Sequence, residues 1–461
     1  MAEPRIVGVL DVGKSNVKLA LVDTTERVEI AVRKAPNEVR PDGPYPHFDV
    51  DRLWAFFEEA LADLSREHPP AALSVTSHGA SGALLGQGGL AMPVLDYEHD
   101  GPDTVSAAYD AVRPAFAETR SPRLPLGLNL GAQLFWQQAT FPDAFARMTA
   151  ILTYPQYWVW RLTGIAATEM PSLGCHTDLW NPAQRRPSSL LARCGWSERL
   201  APVRSAFDPI GLVRPEIAQR LGLVPGMPVA CGIHDSNASL LPHLLQRRAP
   251  FATVSTGTWV VVLAVGGNID RLDPTRDSLA NVDAFGDPVA SARFMGGREF
   301  EILSAGAVET ADPAALAQIL KTGVMILPSF VRGSGPFPRS HGRWTVDPQS
   351  LARRLRAAAI GLYLALMTET CLSLTGAAGE TIVEGPLAGD PIYLRALAAF
   401  TGRPVIVEQS AGTGTAIGAA LLATGQGRTA AAELLGDRIL PPSDNTAFAA
   451  YALNWRRSLG G

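Results

Sequence analysis

The first candidate for chemistry is a carboxylate followed by a polar turn that contains glycine. Asp11 ends the apolar run 6–10, and Gly13, Lys14 and Ser15 come after it. Backbone N–H groups in such a turn, with a lysine and a hydroxyl beside them, can cradle phosphate oxygens. A carboxylate at that place can hold Mg²⁺, because this ion prefers a few carboxylates together with phosphate oxygens. The alternative interpretation is an ordinary hairpin with a polar tip.

A second carboxylate, Asp235, stands at the junction between a buried strand and an Ala/Leu-rich helix. The apolar run 226–232 leads through Ile233 and His234 into Asp235, and the helix is predicted to begin near Ser236. A carboxylate at a strand end of an α/β sheet is well placed to act as a general base. An aspartate that only caps the helix is the alternative, and this stretch alone supports both interpretations equally.

A second strand–turn–strand unit begins at about half the length of the chain and repeats the design of the first. Its turn carries Thr256, Gly257 and Thr258 between the apolar segments 251–255 and 259–265. The repetition indicates an internal duplication, with two phosphate-binding turns that face each other across a cleft. An ordinary turn rich in Ser and Thr is the alternative for this second unit.

Glycines further along the chain suit a pocket for a nucleotide base. Gly296 and Gly297 form a pair, the strand 380–384 runs into the loop 385–390, and a helix of small residues is predicted over 412–423. This helix could pack very closely against a neighbour or a flat ligand. A glycine pair alone is weak evidence, and its position after two phosphate turns strengthens the prediction.

Polar and aromatic residues of the first half could bind the hydroxyl groups of a sugar. His78 and Gly79 lie in a turn at a predicted strand end, from which His78 could donate a hydrogen bond to a hydroxyl. Tyr97 and Glu98 lie in a stretch that combines aromatic and acidic groups, and Gln156 has aromatic neighbours. His234 and the adjoining Asp235 are also candidate sugar contacts. A histidine that caps a strand and a solvated acidic loop are the alternatives.

The elements that must position these residues follow the order of an α/β domain with a mixed sheet. The periodicity predicts strand, strand, strand, helix and strand over 6–10, 17–22, 28–33, 51–64 and 71–77. A further helix is predicted over 150–164, where Gly164 ends it.

Size and composition exclude several classes of protein. A chain of 461 residues and 49.0 kDa should form two large domains. Its net charge of −4 and the lack of Lys/Arg-rich runs argue against nucleic acid as a partner. Its four cysteines form no CxxC pair, which argues against a structural zinc site. Since the sequence has no apolar run of roughly 18 residues and no apolar signal core, we expect a cytoplasmic protein without membrane contact. A homodimer is compatible with the sequence.

Taken together, these stretches resemble the FGGY family of carbohydrate kinases over nearly the whole chain. The segments that carry the resemblance are 10–17, 157–164, 232–235, 255–259, 383–385 and 418–420. The resemblance implies an α/β chain with a duplicated actin-like (ribonuclease H-like) fold and a cleft between two domains. The N-terminal domain, 1–243, would hold the sugar, the first phosphate turn and the catalytic aspartate. The C-terminal domain, 244–461, would hold the second phosphate turn and the adenine-side loop.

The resemblance also implies roles for individual residues, with ATP and Mg²⁺ as cofactors. Asp11 matches the family's Mg-associated aspartate, and Asp235 matches its catalytic base. Gly257 and Thr258 match the second phosphate loop. Gly385 and Asp390 fall where the family has its adenine-side loop.

Three departures from the family's pattern stand out. The adenine loop usually has a Gly-Gly pair and then Asn, whereas this chain has Gly385-Pro386 and Asp390. Lys14 replaces a Thr or small residue of the first phosphate turn. The motifs at 232–235 and 257–259 are closest to the rhamnulose and fuculose kinase branch, in which the position of Ser81 usually carries an Asp that touches the sugar.

The sequence therefore predicts an ATP-dependent kinase that transfers the γ-phosphoryl group to a hydroxyl of a small sugar. The expected acceptor is a ketose or polyol, with deoxy-ketoses such as L-rhamnulose or L-fuculose among the candidates, and ADP is the second product. The alternative from another class is an actin-like nucleotide-binding regulatory protein, or a phosphohydrolase, without sugar kinase activity.

Overall fold

The computed structural model describes residues 5–304, 309–407, 414–425 and 437–459. The chain divides into two compact units. The first unit comprises residues 1–247, 280–288 and 410–432, and the second comprises 248–279, 289–409 and 433–461. Two short segments of the C-terminal half thus belong to the first unit.

Up to residue 247 the chain alternates between strands and helices. The strands are β1 (Ile6–Val12), β2 (Asn16–Asp23), β3 (Val28–Pro36), β4 (Val39–Arg40), β5 (His47–Phe48), β6 (Ala72–Ser77), β7 (Gly82–Gly86), β8 (Gly89–Leu90), β9 (Ala150–Thr153), β10 (Thr168–Glu169), β11 (Trp180–Asn181), β12 (Arg186–Pro187), β13 (Val203–Arg204), β14 (Pro209–Leu212), β15 (Pro228–Ala230) and β16 (Ile233–His234). The helices are α1 (Val50–Leu64), α2 (Ser106–Val112), α3 (Phe116–Thr119), α4 (Leu130–Thr140), α5 (Pro142–Ala146), α6 (Tyr154–Thr163), α7 (Met170–Leu173), α8 (Ser189–Arg193), α9 (Pro215–Leu221) and α10 (Asp235–Gln246).

The remainder of the chain has longer helices. Its strands are β17 (Phe251–Thr256), β18 (Val260–Val265), β19 (Ser278–Val282), β20 (Pro288–Phe294), β21 (Ile326–Leu327), β22 (Arg343–Trp344), β23 (Glu380–Glu384), β24 (Val405–Val407) and β25 (Asp437–Ile439). Its helices are α11 (Gly296–Ser304), α12 (Pro313–Thr322), α13 (Arg353–Leu374), α14 (Pro391–Thr401), α15 (Gly414–Leu422) and α16 (Thr446–Ser458).

The first unit is built on a mixed sheet with the strand order β14-β15-β6-β1-β2-β3, in which β16 also pairs with β6. Strands β1 and β2 form the predicted hairpin, whose turn is closed by a hydrogen bond from Gly13 N to Asn16 O of 2.9 Å. Strand β1 also pairs in parallel with β6, and β16 does the same on the other side of β6. This pairing brings the ends of β1, β6 and β16, and the polar residues that follow them, to one edge of the sheet.

The second unit repeats this arrangement in a sheet ordered β19-β20-β18-β17-β23-β24-β25. Strands β17 and β18 form an antiparallel hairpin, and β17 pairs in parallel with β23. A hairpin whose first strand pairs in parallel with a later strand thus occurs in both units. The predicted internal duplication is therefore present in the strand topology.

Apolar residues at helical spacing explain why α1 covers the first sheet. Leu53, Phe57 and Leu61 recur every four residues and are almost completely buried. Asp49 begins the helix because its side chain accepts a hydrogen bond from Arg52 N of 3.1 Å.

The predicted helix over 150–164 is wrong in its first turn. Residues 150–153 form β9, which pairs antiparallel with β7, so that their backbone groups are taken by a strand ladder. Helix α6 begins only at Tyr154, with Pro155 in its first turn, and ends at Gly164, whose φ is +79°.

Helix α15 packs against α10 within the first unit, as predicted for a helix of small residues. A Cβ at Gly418 would overlap the backbone carbonyl of Ala238, so only glycine permits this approach. Ser239 and Thr415 are hydrogen-bonded through their hydroxyls at 2.8 Å. Residues 412 and 413 of the predicted helix lie outside the described residues.

One helix among the described residues, α13, has the length and apolar character of a membrane span. Of its most apolar window, 72% is buried inside the fold. It contacts α14, α12 and β18, as expected of the central helix of a folded core.

Candidate active site

Asp235 is the first residue of α10, directly after β16. Its Oδ1 accepts a hydrogen bond from Ser236 N at 2.6 Å and lies 3.1 Å from His234 Nε2. Its side chain is 34% exposed, and Oδ2 has no hydrogen-bond partner among the described residues. One carboxylate oxygen is thus fixed while the other makes no hydrogen bond to the described residues, which leaves it available to act as a general base.

Asp11 lies at the end of β1 and faces Lys18 across the hairpin. Lys18 Nζ is 3.4 Å from Asp11 Oδ2 and 2.8 Å from Glu29 Oε1. Burial raises the pKa of Asp11 to about 6; Lys18 opposes this shift, and the negative charge of Asp235 adds to it. The two carboxylates predicted from the sequence are therefore close enough within one unit to influence each other.

The residues around Asp11 offer few ligands for Mg²⁺. The part of the chain that the structure describes has no group of three or more His, Cys, Asp or Glu side chains arranged to hold a metal ion. Mg²⁺ is often bound through one or two carboxylates, with water and phosphate oxygens as the other ligands. Asp11 fits that mode as a single carboxylate ligand.

Gly13 closes the first turn and leaves no room for a side chain. A Cβ at this position would lie 2.9 Å from Asn16 O, the carbonyl that accepts the Gly13 N–H. Ser15 is exposed at the tip of the hairpin. The turn is therefore as tight as a phosphate-binding turn needs to be.

Lys14 does not point into this turn but lies in a cluster of acidic and aromatic side chains. It forms ion pairs with Asp96 and with Glu98, the latter at 3.3 Å. Its ammonium lies over the rings of Phe48 and Tyr97, at 5.1 and 4.8 Å from their centroids. The sequence singled out Tyr97 and Glu98, but Asp96, which is buried, was not predicted as a partner of Lys14.

His78 is buried at the end of β6 among aromatic rings. Its Nδ1 lies 2.8 Å from Gly79 O, and because a carbonyl only accepts, Nδ1 carries the proton. Burial lowers the pKa of His78 to about 4, so the ring is neutral at pH 7 and Nε2 is an acceptor. In this tautomer the proton of His78 is donated to Gly79 O, so the ring would accept a hydrogen bond from a hydroxyl through Nε2; contact of His78 with a sugar stays a prediction.

Two polar atoms near this turn are buried without a protein partner. His78 Nε2 and Ser81 Oγ make no hydrogen bond to any described residue. Such atoms cost free energy unless a ligand or water satisfies them. Between them Gly79 has no space for a side chain, because a Cβ would lie 2.9 Å from His234 Nε2.

Gln156 lies on α6 and is completely buried. Its amide nitrogen donates to Cys231 O at 2.8 Å and to Gly232 O at 3.3 Å, and its Oε1 accepts from Thr153 Oγ1. All its polar atoms are thus used to hold the segment that leads into β16.

His234 is also buried, and it contacts residues that the sequence did not indicate. Its Nε2 lies 3.6 Å from Cys175 Sγ as well as 3.1 Å from Asp235 Oδ1. Glu169, completely buried, accepts hydrogen bonds from Ser172 at the start of α7, and burial raises its pKa to about 7. No local pattern connects Cys175 or Glu169 with Asp235, because about 60 residues of chain separate them.

The second unit contains a cavity of about 710 Å³, within the usual range for small-molecule sites. Its lining includes Gly257 and Thr258 of the second turn, Gly297 of α11, and Leu387 and Asp390 of the loop after β23. Arg353 and Arg356 of α13 also border it. The cavity thus brings together the second turn, Gly297 and the loop after β23, whereas Gly296 and Gly385 do not line it.

Close backbone contacts explain the glycines around this cavity. A Cβ at Gly297 would overlap the carbonyl of Gly257, and one at Gly296 would overlap the side chain of Val260. Gly385 has a φ of +82° and approaches Thr256 O so closely that any side chain would overlap it.

The hydroxyl of Thr256 connects the second turn with the loop after β23. It donates to Glu384 O and accepts from Leu387 N at 3.1 Å. Asp390 ends this loop, and its Oδ1 accepts from the backbone N–H groups of Ile392 and Tyr393 at 2.9 and 3.2 Å. Asp390 thus caps α14, and burial raises its pKa.

Comparison with protein families identifies both halves of the chain. Residues 118–242 match the N-terminal domain of the FGGY family of carbohydrate kinases, and residues 248–432 match the FGGY carbohydrate kinase C-terminal domain.

Individual relatives point the same way. A carbohydrate kinase from Novosphingobium aromaticivorans superposes with a TM-score of 0.90 at 35% identity, covering 100% of this chain and 99% of that one. A probable L-xylulose kinase of Pasteurella multocida is 26% identical over 97% of this chain and 96% of its own length. An L-fuculokinase of Salmonella typhi is 26% identical over 58% of this chain, and the match spans 57% of that protein. The predicted α/β fold with two actin-like domains is confirmed.

Proposed function

The chain belongs to the FGGY family of carbohydrate kinases, and we propose that it transfers the γ-phosphoryl group of ATP to a hydroxyl of a small sugar. The observation that carries the proposal is Asp235, with Oδ1 fixed by Ser236 N and Oδ2 without a hydrogen bond to the described residues. In the proposed reaction Oδ2 accepts the proton of the attacking hydroxyl. Such proton transfer typically contributes about 10²–10⁴-fold to a rate.

The unsatisfied atoms of the first unit support a polyhydroxylated acceptor. His78 Nε2 would accept a hydrogen bond from one hydroxyl, and Ser81 Oγ would bind another. Gly79 lies in the same turn and would contact the sugar through its backbone, and Tyr97, whose ring contacts that of His78, would contact it together with Glu98. Both unsatisfied groups are neutral, as suits a ketose or polyol. A deoxy-ketose such as L-fuculose or L-rhamnulose belongs to this class, and L-fuculokinase is among the relatives.

We propose a positioning role for two residues that the sequence suggested as sugar contacts. Gln156 holds the backbone of residues 231 and 232 and has no free polar atom. His234 contacts Asp235 directly, so its effect on the sugar passes through the base.

The phosphate groups are assigned to the two turns. Ser15 of the first turn and Thr258 of the second would donate to phosphate oxygens. Gly13, Thr256 and Gly257 would shape these turns, because the N–H groups of both glycines and the hydroxyl of Thr256 already donate within the protein. Lys14 is held by Asp96 and Glu98, so its charge is already compensated. Bound Mg²⁺ would neutralise developing charge on the phosphates, with Asp11 as its protein ligand.

The cavity of the second unit is the proposed nucleotide site. Gly296 and Gly297 allow α11 to approach the second turn, and Gly385 brings the loop after β23 to the end of β17. Asp390 would act mainly through the start of α14, which it caps. These contacts support binding of the adenosine part of ATP between α11, α13 and this loop.

We further propose that the domain 1–243 binds the sugar and supplies the base, and that 244–461 binds the nucleotide. The expected location is the cytoplasm, where ATP and sugar are available. We also predict that the protein binds neither nucleic acid nor membranes and that it can form a homodimer.

The proposal is tested by coupled ADP release over a panel of ketoses, aldoses and polyols. One sugar, or a small group of related sugars, should stimulate ADP release strongly. ATP hydrolysis that is indifferent to every sugar would contradict the proposal. It would favour the nucleotide-binding regulatory protein or the phosphohydrolase instead.

A further inference from the structure

Cys175, His234 and Asp235 form a continuous chain of contacts that ends at the proposed base. His234 Nε2 lies 3.6 Å from Cys175 Sγ and 3.1 Å from Asp235 Oδ1. Cys175 and His234 are only 4% and 5% exposed, so water does not compete for these contacts. Gly79 packs directly against both side chains, because a Cβ at this position would lie 2.9 Å from His234 Nε2 and 3.6 Å from Cys175 Sγ.

The other nitrogen of His234, Nδ1, faces the side-chain amide of Asn237. Asn237 places its side-chain nitrogen 3.2 Å from Nδ1, while its Oδ1 is buried without a partner among the described residues. A half-turn of this amide exchanges nitrogen for oxygen and offers Nδ1–H an acceptor. Nε2 already faces a carboxylate and a sulfur atom. With the amide in that orientation, an imidazolium donates from Nδ1 to Asn237 Oδ1 and from Nε2 toward the carboxylate and the sulfur atom.

The surrounding charges favour the ionised forms of both Cys175 and His234. Burial alone would lower the pKa of His234, but Cys175, Asp235 and Glu169 outweigh it and raise that pKa to about 9. Burial alone would raise the pKa of Cys175, but His176 and His234 outweigh it and lower that pKa to about 5. His78 is the other titratable group whose charge interacts with His234. Both shifts favour a thiolate on Cys175 beside an imidazolium on His234.

On the basis of the proposed function, we propose that Cys175 is a positioning residue for the base. Its thiolate holds His234 as an imidazolium, and His234 holds Oδ1 of Asp235 so that Oδ2 faces the sugar hydroxyl. Cys175 itself touches no substrate. No bond is made or broken at sulfur, and the only proton that moves goes from the hydroxyl to Asp235.

The variant Cys175→Ser tests this role because it keeps the size of the side chain and removes the thiolate. We expect kcat to fall about tenfold, the effect of weakening one charge-assisted hydrogen bond, while KM for ATP stays unchanged. Without the thiolate, His234 should lose its proton at a lower pH. The alkaline limb of kcat should therefore move down by about one to two pH units. Cys194→Ser, at a half-buried cysteine elsewhere in the unit, is the matched control and should leave both quantities unchanged.

A second measurement does not depend on activity or on the folding of the variant. The ultraviolet absorbance of a thiolate should be present in the wild-type protein at pH 7 and disappear on acidification through about pH 5. Absence of this signal would overturn the proposal, as would a wild-type pH profile in a folded Cys175→Ser or Cys175→Ala protein. If no sugar stimulates the wild-type protein, the proposed function fails, and the absorbance titration still decides whether the pair exists.

Discussion

Replacing Asp235 by asparagine tests the proposed base with little change to the fold. Asparagine keeps an oxygen that can accept the hydrogen bond from Ser236 N at the start of α10. It removes the negative charge beside His234 and the oxygen that would accept the hydroxyl proton. The loss of the charge and the loss of the proton acceptor both weaken removal of the proton from the attacking hydroxyl. We therefore expect kcat to fall about a thousandfold, which corresponds to about 4 kcal/mol of transition-state stabilisation.

The assay is sugar-dependent ADP release, with nucleotide affinity measured separately by equilibrium binding. Asp235 lies in the first unit and does not line the cavity of the second, so the Kd for ATP should stay unchanged. The control is Asp63→Asn, which removes a carboxylate that is 47% exposed and paired with Arg33 at 2.7 Å. Its kcat should equal that of the wild type. A rate close to wild type in Asp235→Asn would refute the assignment of the base.

Two further predictions concern the nucleotide cavity and a buried carboxyl group. Gly297→Ala should raise KM for ATP about tenfold, because its Cβ would displace the carbonyl of Gly257. The control is Gly389→Ala in the same cavity, which should leave KM unchanged because no atom lies within 4 Å of the added Cβ. Equal KM values for the two variants would contradict the importance of this close contact. Burial raises the pKa of Glu169 from 4.5 to about 7, so the folded protein binds this proton more tightly than the unfolded chain. Its stabilisation is complete below about pH 4.5 and is lost as the pH rises through about 7. Relative to Glu169→Gln, the wild-type free energy of unfolding should therefore fall by about 3 kcal/mol between those limits; chemical unfolding at both pH values measures this, and a constant difference would contradict it.

Local patterns were sufficient to predict the elements whose residues adjoin in sequence. The hairpin of β1 and β2 follows from an apolar run, a glycine turn and an alternating strand, and all three lie within 18 residues. The strand-to-helix junction at Asp235 was equally visible. The glycines 257, 297 and 385 were predicted as a group, although their reason, close backbone contacts, becomes evident only in the structure.

Features that depend on partners distant in sequence could not be predicted in this way. The strand β9 carries a helix-like apolar pattern, and only the edge of β7 turns it into a strand. The pairing of Lys14 with Asp96 joins residues 82 positions apart. The tautomer of His78 depends on the backbone geometry at Gly79, which side-chain types do not encode.

The most direct test of the account is the stoichiometry of the reaction with whichever sugar stimulates ADP release. We expect one phosphorylated sugar for every ADP formed, and loss of both products in Asp235→Asn. ADP formed at the same rate without sugar, with inorganic phosphate as its only counterpart, would contradict it.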